Sequence, residues 1–254
     1  MVDWITPEWP APHNIKALFT TRKGGVGHRL RGAYSGLNLG DHVGDDPDVV
    51  RKNRAQLRRY LPAEPCWLTQ VHENNPVWVD ITNNDKPEGD AAISKCSGVV
   101  CAILVADCLP VFLCDAAGSV VAVVHAGWRG LASGVIENTI REMRQYSHST
   151  QIIAWLGPAI GPQYFEVGEE VRSIFIQIDG QAENAFTAAD RHGKYYADIF
   201  QLARQRLAHV GVNQVSGGGL CTFSDADRFY SYRRDGQTGR MAALLWMTSS
   251  LSDG

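Results

Sequence analysis

Two apolar runs separated by a tight turn constrain the fold of this chain most. Residues 99–106 are almost continuously apolar, residues 119–125 are rich in Val, and Asp115-Ala116-Ala117-Gly118 between them is typical of a chain reversal. If the first and last residues of this turn pair, Cys108 lies opposite His125. Their Cβ atoms would then be about 5 Å apart. That distance would allow a shared metal ion or a thiol–imidazole pair.

Pro110 complicates this hairpin because proline cannot donate a ladder hydrogen bond. Its position two residues after Cys108 favours an edge strand, a bulge or an earlier end to the pairing. The opposition of Cys108 and His125 is therefore a hypothesis from spacing alone.

The rest of the chain mixes strands and helices over 254 residues, of which 44% are hydrophobic and 20% are charged. This balance is that of an ordinary globular protein with a sizeable core. Hairpins occur beside crossovers, so we predict α+β with mixed sheets. We detect no repeat or linker and expect a single domain over residues 1–254. The other predicted strands are 15–21, 66–71, 76–80, 152–156, 214–216, 229–232 and 241–247, and the predicted helices are 49–61, 131–146, 166–176 and 197–209.

Charge and cysteine usage exclude several classes of partner. The formal net charge of −3 gives no electrostatic reason to expect nucleic acid or an anionic membrane. No stretch approaches the roughly 18–20 apolar residues that span a bilayer, and the N-terminal MVDWITPEWPAP lacks the pattern of a secretory signal. The six cysteines form no CxxC and no disulfide framework. We expect a cytoplasmic protein that binds neither nucleic acid nor membranes.

Three side chains are candidate metal ligands and catalytic residues: His72, Cys108 and His125. Taken singly, His72 is typical of a hydrogen-bonded histidine and Cys108 of a buried inert thiol. His125 differs, because it closes a strand directly before a Gly-bounded helix start, where open sites form. Two His and one Cys suit Zn²⁺ and leave its fourth tetrahedral position for water or substrate. Their spacings match no local zinc motif.

Two glycine-rich segments could bind an anion. Gly127-Trp128-Arg129-Gly130 begins a predicted helix, where free backbone N–H groups and the charge of Arg129 favour a negative ligand. A tight strand–helix turn with a solvated arginine explains the pattern equally well. Gly24-Gly25-Val26-Gly27 is not a P-loop, because no Gly-Lys-Ser/Thr follows it. It places Arg22 beside flexible backbone, which favours a surface turn over a phosphate cradle.

Two further segments have both a functional and a structural interpretation. His42 and Asn38 lie in an Asp-rich stretch that is either a polar wall of a site or a loop capping the next helix. Residues 229–234 combine aromatic and cationic side chains. They could stack on a nucleobase, but core aromatics beside solvated arginines account for them as well.

Several ordered segments resemble the laccase-domain family, whose members are also known as polyphenol oxidases and purine nucleoside phosphorylases. The resemblance covers most of the chain. The similar segments are Thr21-Arg22-Lys23-Gly24-Gly25-Val26, Leu37-Asn38-Leu39-Gly40-Asp41-His42, Gln70-Val71-His72, Ala106-Asp107-Cys108-Leu109-Pro110-Val111, His125-Ala126-Gly127-Trp128-Arg129-Gly130, Trp155-Leu156-Gly157-Pro158-Ala159-Ile160-Gly161-Pro162, Glu166-Val167-Gly168, Cys221-Thr222 and Ser231-Tyr232-Arg233-Arg234-Asp235.

This resemblance implies a four-layer α/β/β/α arrangement and a zinc site on His72, Cys108 and His125. It also implies phosphorolysis of adenosine, inosine, guanosine and methylthioadenosine to the free base and a ribose 1-phosphate or its methylthio counterpart, together with deamination of adenosine. The expected partners are purine nucleosides and phosphate. Glu73 departs from the family, where many relatives carry a small residue, and could alter access or substrate range.

We expect Arg22, Asn38, His42 and Arg129 to contact phosphate or ribose. Three alternatives stay open. Copper could occupy the same three ligands and support polyphenol oxidation, although the eight His form no His-x-His pair typical of multicopper sites. Cys108 could instead be the nucleophile, with His125 as base, of an amide hydrolase that edits cell-wall precursors. The third alternative is a non-catalytic binding module. The oligomeric state also stays open.

Overall fold

Strands and helices are interleaved along residues 3–29, 32–80 and 86–249, which are the residues that the computed structural model describes. The strands are β1 Ile15–Phe19, β2 Pro65–Cys66, β3 Pro76–Trp78, β4 Ala91–Ser94, β5 Val100–Val105, β6 Leu109–Asp115, β7 Val121–Ala126, β8 Ile152–Leu156, β9 Glu166–Gly168, β10 Phe186–Ala188, β11 Lys194–Ala197, β12 Gln214–Gly217 and β13 Met241–Met247. The α-helices are α1 Pro47–Arg58, α2 Trp128–Ser133, α3 Val135–Arg144, α4 Glu169–Ile178, α5 Ile199–His209 and α6 Tyr232–Asp235.

The strands form two large sheets and one small one. The larger sheet has the order β12-β8-β6-β7-β4-β3, the second has β1-β13-β5-β2, and the small sheet has β10-β11-β9. In the larger sheet β12 and β8 are parallel, as are β3 and β4, whereas β6 is antiparallel to both its neighbours. Parallel and antiparallel pairs therefore share a sheet, which confirms the predicted α+β class with mixed sheets.

Side-chain alternation along the strands separates the core into three layers of apolar contacts. One face of β6 and β7 packs with α3, α4 and α5, and the opposite face packs against β5 and β13 of the second sheet. The outer face of β5 and β13 is covered by a third cluster that includes Leu57 of α1. Because successive strand residues point to opposite faces, this stacking gives the expected four layers α/β/β/α.

The β6–β7 hairpin forms, but its register differs from the predicted one. Pro110 pairs with His125, and Cys114 pairs with Val121. The reversal also includes Ser119 and Val120, since the backbone N–H of Asp115 donates to the carbonyl of Val120. The prediction that Cys108 lies directly opposite His125 is wrong by two residues. A two-residue shift preserves the sheet face, so both side chains still point toward the layer between the two large sheets.

Pro110 is accommodated inside the sheet and not at an edge. Its carbonyl accepts from the N–H of Gly157 on the β8 side, while the N–H of His125 donates to Asp90 on the β4 side. The nitrogen of a strand residue faces the same side as its carbonyl. The missing N–H therefore points toward the end of β8, and no β6–β7 hydrogen bond is lost.

Other element boundaries differ from the sequence prediction for local reasons. The predicted helix 131–146 is two helices, because Gly134 between α2 and α3 has φ 94°. Residues 166–176 begin as strand β9 before α4 starts at Glu169. The predicted strand 66–71 is reduced to β2, and 229–232 is not a strand but leads into α6. No helix among the described residues is long and apolar enough to cross a bilayer.

Candidate metal centre and cleft

His125 and Cys108 converge where the β6–β7 hairpin opens toward the second sheet. His125 is 3% exposed near the end of β7, and partly buried Cys108 directly precedes β6 and packs against the apolar layer between the sheets. Cys108 lies two residues before Pro110, the strand partner of His125, so it is the diagonal neighbour of His125 on the same face. The hairpin therefore brings thiol and imidazole together on one face.

His72 completes a group of three potential ligands. One ligand atom from each of His72, Cys108 and His125 lies within 4.8 Å of the others. The two imidazole rings meet edge to face, with centroids 4.7 Å apart. His72 reaches this position from the loop between β2 and β3. The sequence prediction brought these three residues together, and the structure places them together.

Asp90 holds both His125 and the loop that carries His72 in position. Its carboxylate, which is 0% exposed, lies 2.7 Å from Nδ1 of His125 and accepts the backbone N–H groups of Val71, His72 and Glu73 at 3.2, 3.0 and 2.8 Å. One side chain thus orients a ring and the loop that carries the other ring. Because Nδ1 of His125 is engaged, Nε2 is the nitrogen left to face a ligand.

Backbone strain is concentrated at the same place. His72 and Asp107 are the non-glycine residues with positive φ in the described part of the chain, at 64° and 87°. Such conformations cost free energy and persist where surrounding contacts enforce them. Asp90 supplies those contacts for His72. For Asp107, one carboxylate oxygen accepts the Thr222 hydroxyl and the other accepts the N–H of Arg233, both at 2.6 Å.

Electrostatics keep the Cys108 sulfur in the form that binds metals. Burial alone raises the pKa of the Cys108 thiol, but the charge of His125 and hydrogen bonds to both imidazoles outweigh burial and bring the pKa to about 6. Burial lowers the pKa of His125, whereas the Cys108 thiolate and Asp90 raise it to about 9. The ionised pair is therefore favoured at neutral pH, and the thiolate is both a metal ligand and a nucleophile.

Gly127 leaves the space into which the sulfur fits. A Cβ at this position would lie 3.1 Å from Cys108 Sγ, 3.4 Å from His72 Cδ2 and 3.7 Å from His125 Cε1. Gly127 is also the residue before α2, with φ −62°. Its lack of a side chain is required by this close approach and not by its backbone conformation.

The three residues lie at one wall of a cleft of about 520 Å³. This volume is within the usual range for small-molecule sites. Gln70 also lines the cleft, and its side chain exchanges two hydrogen bonds with the backbone of Leu104. The cleft combines cations and aromatic rings contributed by His42, Trp128, Arg129, Phe165, Tyr232, Arg233 and Arg240.

Of the four predicted substrate residues, two line the cleft and two do not. His42 and Arg129 line the cleft. Arg22 does not line it; its guanidinium lies 4.7 Å from the Tyr230 ring centroid and donates to the carbonyls of Ser35 and Ala226. Asn38 is buried and does not line the cleft, but its Oδ1 accepts the backbone N–H of the cleft residue Arg240. The substrate contacts predicted for these residues stay predictions.

Glu73, which we expected to differ from the family and to alter access, has an exposed side chain and is not among the residues that line the cleft. Its backbone N–H is one of the three that Asp90 accepts.

Sequence reasoning missed Asp90, Asp107 and Arg240. Asp90 stands directly before the apolar run that forms β4. A carboxylate at the start of a buried strand is a sequence signal that could have marked it as a functional residue. Asp107 lies within the Ala106–Val111 segment but was given no role. Arg240 comes directly before β13, and nothing local relates it to Cys108.

Taken together, the fold and cleft define a mixed α+β protein with a His–Cys–His group at the junction of its two large sheets. Residues 16–248 match the family described as multi-copper polyphenol oxidoreductase laccase. The chain belongs to this family.

Similar proteins extend over nearly the whole chain. It is 48% identical over 244 residues to a purine nucleoside phosphorylase of Pseudomonas aeruginosa, which covers 96% of this chain and 98% of that protein. It is also 48% identical over 246 residues to purine nucleoside phosphorylase YfiH of Escherichia coli, with the same coverage. The relatives and the family thus carry the names of enzymes.

Two solved structures share the fold. A Neisseria meningitidis protein superimposes with a TM-score of 0.91 at 45% identity, covering 97% of this chain and 100% of that one. YlmD from Geobacillus stearothermophilus superimposes with a TM-score of 0.87 at 28% identity, covering 97% and 96%.

Proposed function

We propose that this chain is a zinc-dependent purine nucleoside phosphorylase. The observation that carries the proposal is that one cleft combines the His72–Cys108–His125 group with arginines and an exposed aromatic ring. The names of relatives that are 48% identical over almost the whole chain support the same reaction class. The substrates are adenosine, inosine, guanosine and methylthioadenosine, with phosphate as the second substrate.

The donor set fits a zinc ion. Two imidazoles and one thiolate are donors that zinc prefers, and a three-residue set is typical of catalytic sites. Asp90 fixes His125 as outer partners of metal-bound histidines do. When bound, the metal would act as a Lewis acid at the wall of the cleft. His72, Cys108 and His125 would hold it, and the remaining steps depend on other residues of the chain.

Phosphorolysis requires a phosphate oxygen to bond to C1′ of the ribose while the bond from C1′ to the base nitrogen breaks. The electron pair of the broken bond goes to the departing purine, which takes up the proton that the hydrogen phosphate gives up and leaves as the free base. The three arginines that line the cleft, Arg129, Arg233 and Arg240, give it the positive charge that favours entry of a phosphate. Tyr232, 61% exposed at the cleft wall, offers a ring face for the purine.

We also propose that adenosine is deaminated in the same cleft. Water replaces the amino group at C6, and ammonia leaves with the proton that the water gives up. The reaction needs no phosphate, so its dependence on phosphate separates it from phosphorolysis.

Product analysis with adenosine tests the function. Pure protein is incubated with adenosine with and without phosphate, and adenine, ribose 1-phosphate and inosine are resolved by chromatography. We expect equal amounts of adenine and ribose 1-phosphate only with phosphate, and inosine in both reactions. Cys108→Ser is expected to lose all three products. Absence of all three products from the zinc-loaded native chain would contradict the proposal.

Copper-dependent oxidation of polyphenols is the second candidate, favoured by the family description. Copper binds nitrogen and sulfur donors more tightly than zinc, so the same three residues would serve. Metal analysis of protein produced without added copper, followed by assays of zinc-loaded and copper-loaded protein, distinguishes the two. If phenols are oxidised only by the copper-loaded protein, the oxidation results from replacing zinc by copper and is not the activity of the zinc-loaded chain.

An amide hydrolase with Cys108 as nucleophile is the third candidate. The observation in its favour is the low pKa of the Cys108 thiol, about 6, beside His125. A thiolate held by a metal is a weaker nucleophile, so the two roles compete. Hydrolysis of peptide-amide substrates that is faster in metal-free protein would favour this reading.

A further inference from the structure

Arg240 differs from the other cations of the cleft because buried residues hold it in place. Asn38, which is 0% exposed, accepts the backbone N–H of Arg240 at 2.8 Å through Oδ1. The Arg240 carbonyl accepts the N–H of Leu39 at 3.1 Å. A Cβ on Gly40 would lie only 2.9 Å from Cγ of Arg240. The segment 38–40 is thus shaped around the stem of this arginine.

The charge of Arg240 is not matched by a carboxylate. Its Nη1 donates to the carbonyls of Thr238 and Gly239 at 2.9 and 3.1 Å. Among the described residues, no carboxylate oxygen lies within 4.0 Å of its guanidinium. By contrast, the enclosed Arg54 and Arg206 each pair with an acidic side chain, Asp41 and Glu137. A partly buried cation without such a partner is costly unless it binds an anion.

The negative groups near Arg240 already have other hydrogen-bond partners, which for Cys108 are the two imidazoles. Asp107 is the acidic residue lining the cleft, and both its carboxylate oxygens are occupied by Thr222 and the backbone of Arg233. Burial lowers the pKa of Arg240, and the nearby charges of Cys108 and Asp107 oppose that effect. Arg240 therefore lies in electrostatic range of the His–Cys–His group.

The other two cleft arginines lack this support. Arg129 is exposed, and its guanidinium lies 4.4 Å from the ring centroid of Trp128. Arg233 is exposed as well, and its Nη1 donates to the carbonyls of Glu166 and Tyr164. His42 also lines the cleft and lies near Arg240. Burial lowers the pKa of His42 most, and the nearby charge of the Arg240 guanidinium lowers it further.

We propose that Arg240 and His42 form the oxyanion subsite of the cleft, which takes inorganic phosphate or the phosphate group of a sugar phosphate. Arg240 offers a planar donor pair that matches two phosphate oxygens. Asn38 is a positioning residue that acts through Arg240. The inference rests on the proposed function in one respect, since phosphorolysis requires a phosphate held close to the sugar.

Thermal unfolding at constant ionic strength tests the subsite without relying on activity. The zinc-loaded chain is titrated separately with inorganic phosphate and ribose 1-phosphate, with chloride as the balancing ion. We expect a saturable rise in Tm that is lost in Arg240→Gln and kept in Arg51→Gln, an exposed arginine on α1 with the same charge change. Saturation with ribose 1-phosphate alone would assign the subsite to the sugar phosphate.

Two further variants keep the test decisive if Arg240→Gln fails to fold. Arg240→Lys keeps the charge but loses the planar fork, and we expect phosphate affinity to fall about tenfold. His42→Gln changes a side chain that is 55% exposed, so folding should be intact while phosphate affinity falls. An equal Tm rise in the native chain and the Arg240 variants, or no rise in the native chain, would overturn the subsite.

Kinetics separate failure of the subsite from failure of the proposed function. If phosphorolysis occurs, Arg240→Lys and Asn38→Ala should raise KM for phosphate about tenfold and leave KM for the nucleoside nearly unchanged. Phosphorolysis with unchanged phosphate KM would overturn the subsite and leave the function standing. Phosphate binding that depends on Arg240 in a chain that releases no base would leave the subsite standing and reject the function.

Discussion

Asp90 Oδ1 lies 2.7 Å from Nδ1 of His125, and the same carboxylate accepts the N–H of His72. Two of the three ligand candidates therefore depend on one buried side chain. Outer partners of this kind set the orientation of metal-bound histidines, and their loss costs metal affinity.

Asp90→Asn should weaken zinc binding by about 10- to 100-fold. The amide keeps the size of the side chain, but its NH₂ group faces backbone N–H donors that need an acceptor. Competition with a chromogenic chelator measures the zinc affinity. Asp227→Asn, an exposed residue, is the matched control. Identical zinc affinity in Asp90→Asn and the native chain would show that Asp90 does not orient the site.

Gly127→Ala should reduce zinc affinity with little loss of backbone stability. Its φ of −62° is acceptable for alanine, but the new Cβ would lie 3.1 Å from Cys108 Sγ. The sulfur must therefore move. Chelator competition reports the affinity, and urea unfolding of the metal-free protein reports stability. Gly219→Ala is the control, since a Cβ there meets nothing within 4 Å. A large loss of stability without loss of zinc affinity would contradict this account.

Zinc should protect Cys108 from alkylation. In the metal-free chain the thiolate is accessible from the cleft and should react with iodoacetamide, whereas metal coordination occupies the sulfur. Mass spectrometry of the peptides separates Cys108 from the partly exposed Cys66, Cys96 and Cys221. Cys101 and Cys114 should stay unmodified because burial raises the pKa of both thiols. Equal labelling of Cys108 with and without zinc would favour the nucleophile instead.

Asp115→Asn should destabilise the chain at neutral pH and less so in acid. Burial raises the pKa of Asp115, but hydrogen bonds from Ser119, Val120 and Ser147 outweigh it and hold the pKa below its ordinary value. The folded state therefore binds the proton less readily than the unfolded one. The stabilisation is present above pH about 4 and is lost as pH falls through the folded pKa.

Urea unfolding of the native chain and Asp115→Asn at a series of pH values measures this difference. Removal of these hydrogen bonds should cost about 1–3 kcal/mol at pH 7, with a smaller gap in acid. A gap that does not change with pH would show that the ionised form of Asp115 is not what the turn requires.

The hairpin shows why part of the site could be predicted from the sequence. Alternation along a strand fixes which face a side chain occupies, and a register error of two residues leaves that face unchanged. Cys108 and His125 were therefore placed together although their pairing was wrong. The exact turn depended on Asp115 binding the N–H groups of Ser119 and Val120, which spacing does not show.

The remaining parts depend on contacts between distant segments. His72 reaches the site because Asp90 holds its loop, and Arg240 reaches the cleft because β13 lies beside β5. Neither relation has a local sequence signal. The family resemblance was therefore what favoured His72 as a ligand over an ordinary hydrogen-bonded histidine, and Arg240 was found only in the structure. Gly134 illustrates a smaller failure, because an amphipathic pattern continued across a residue with φ 94° that ends α2.

Anomalous X-ray scattering tests the central claim most directly. Crystals of the chain produced without added metal are measured on both sides of the zinc and copper absorption edges. We predict a zinc peak about 2.0–2.3 Å from Cys108 Sγ and from one nitrogen each of His72 and His125. A copper peak there would overturn the choice of metal, and no anomalous peak among these three side chains would contradict the metal centre itself.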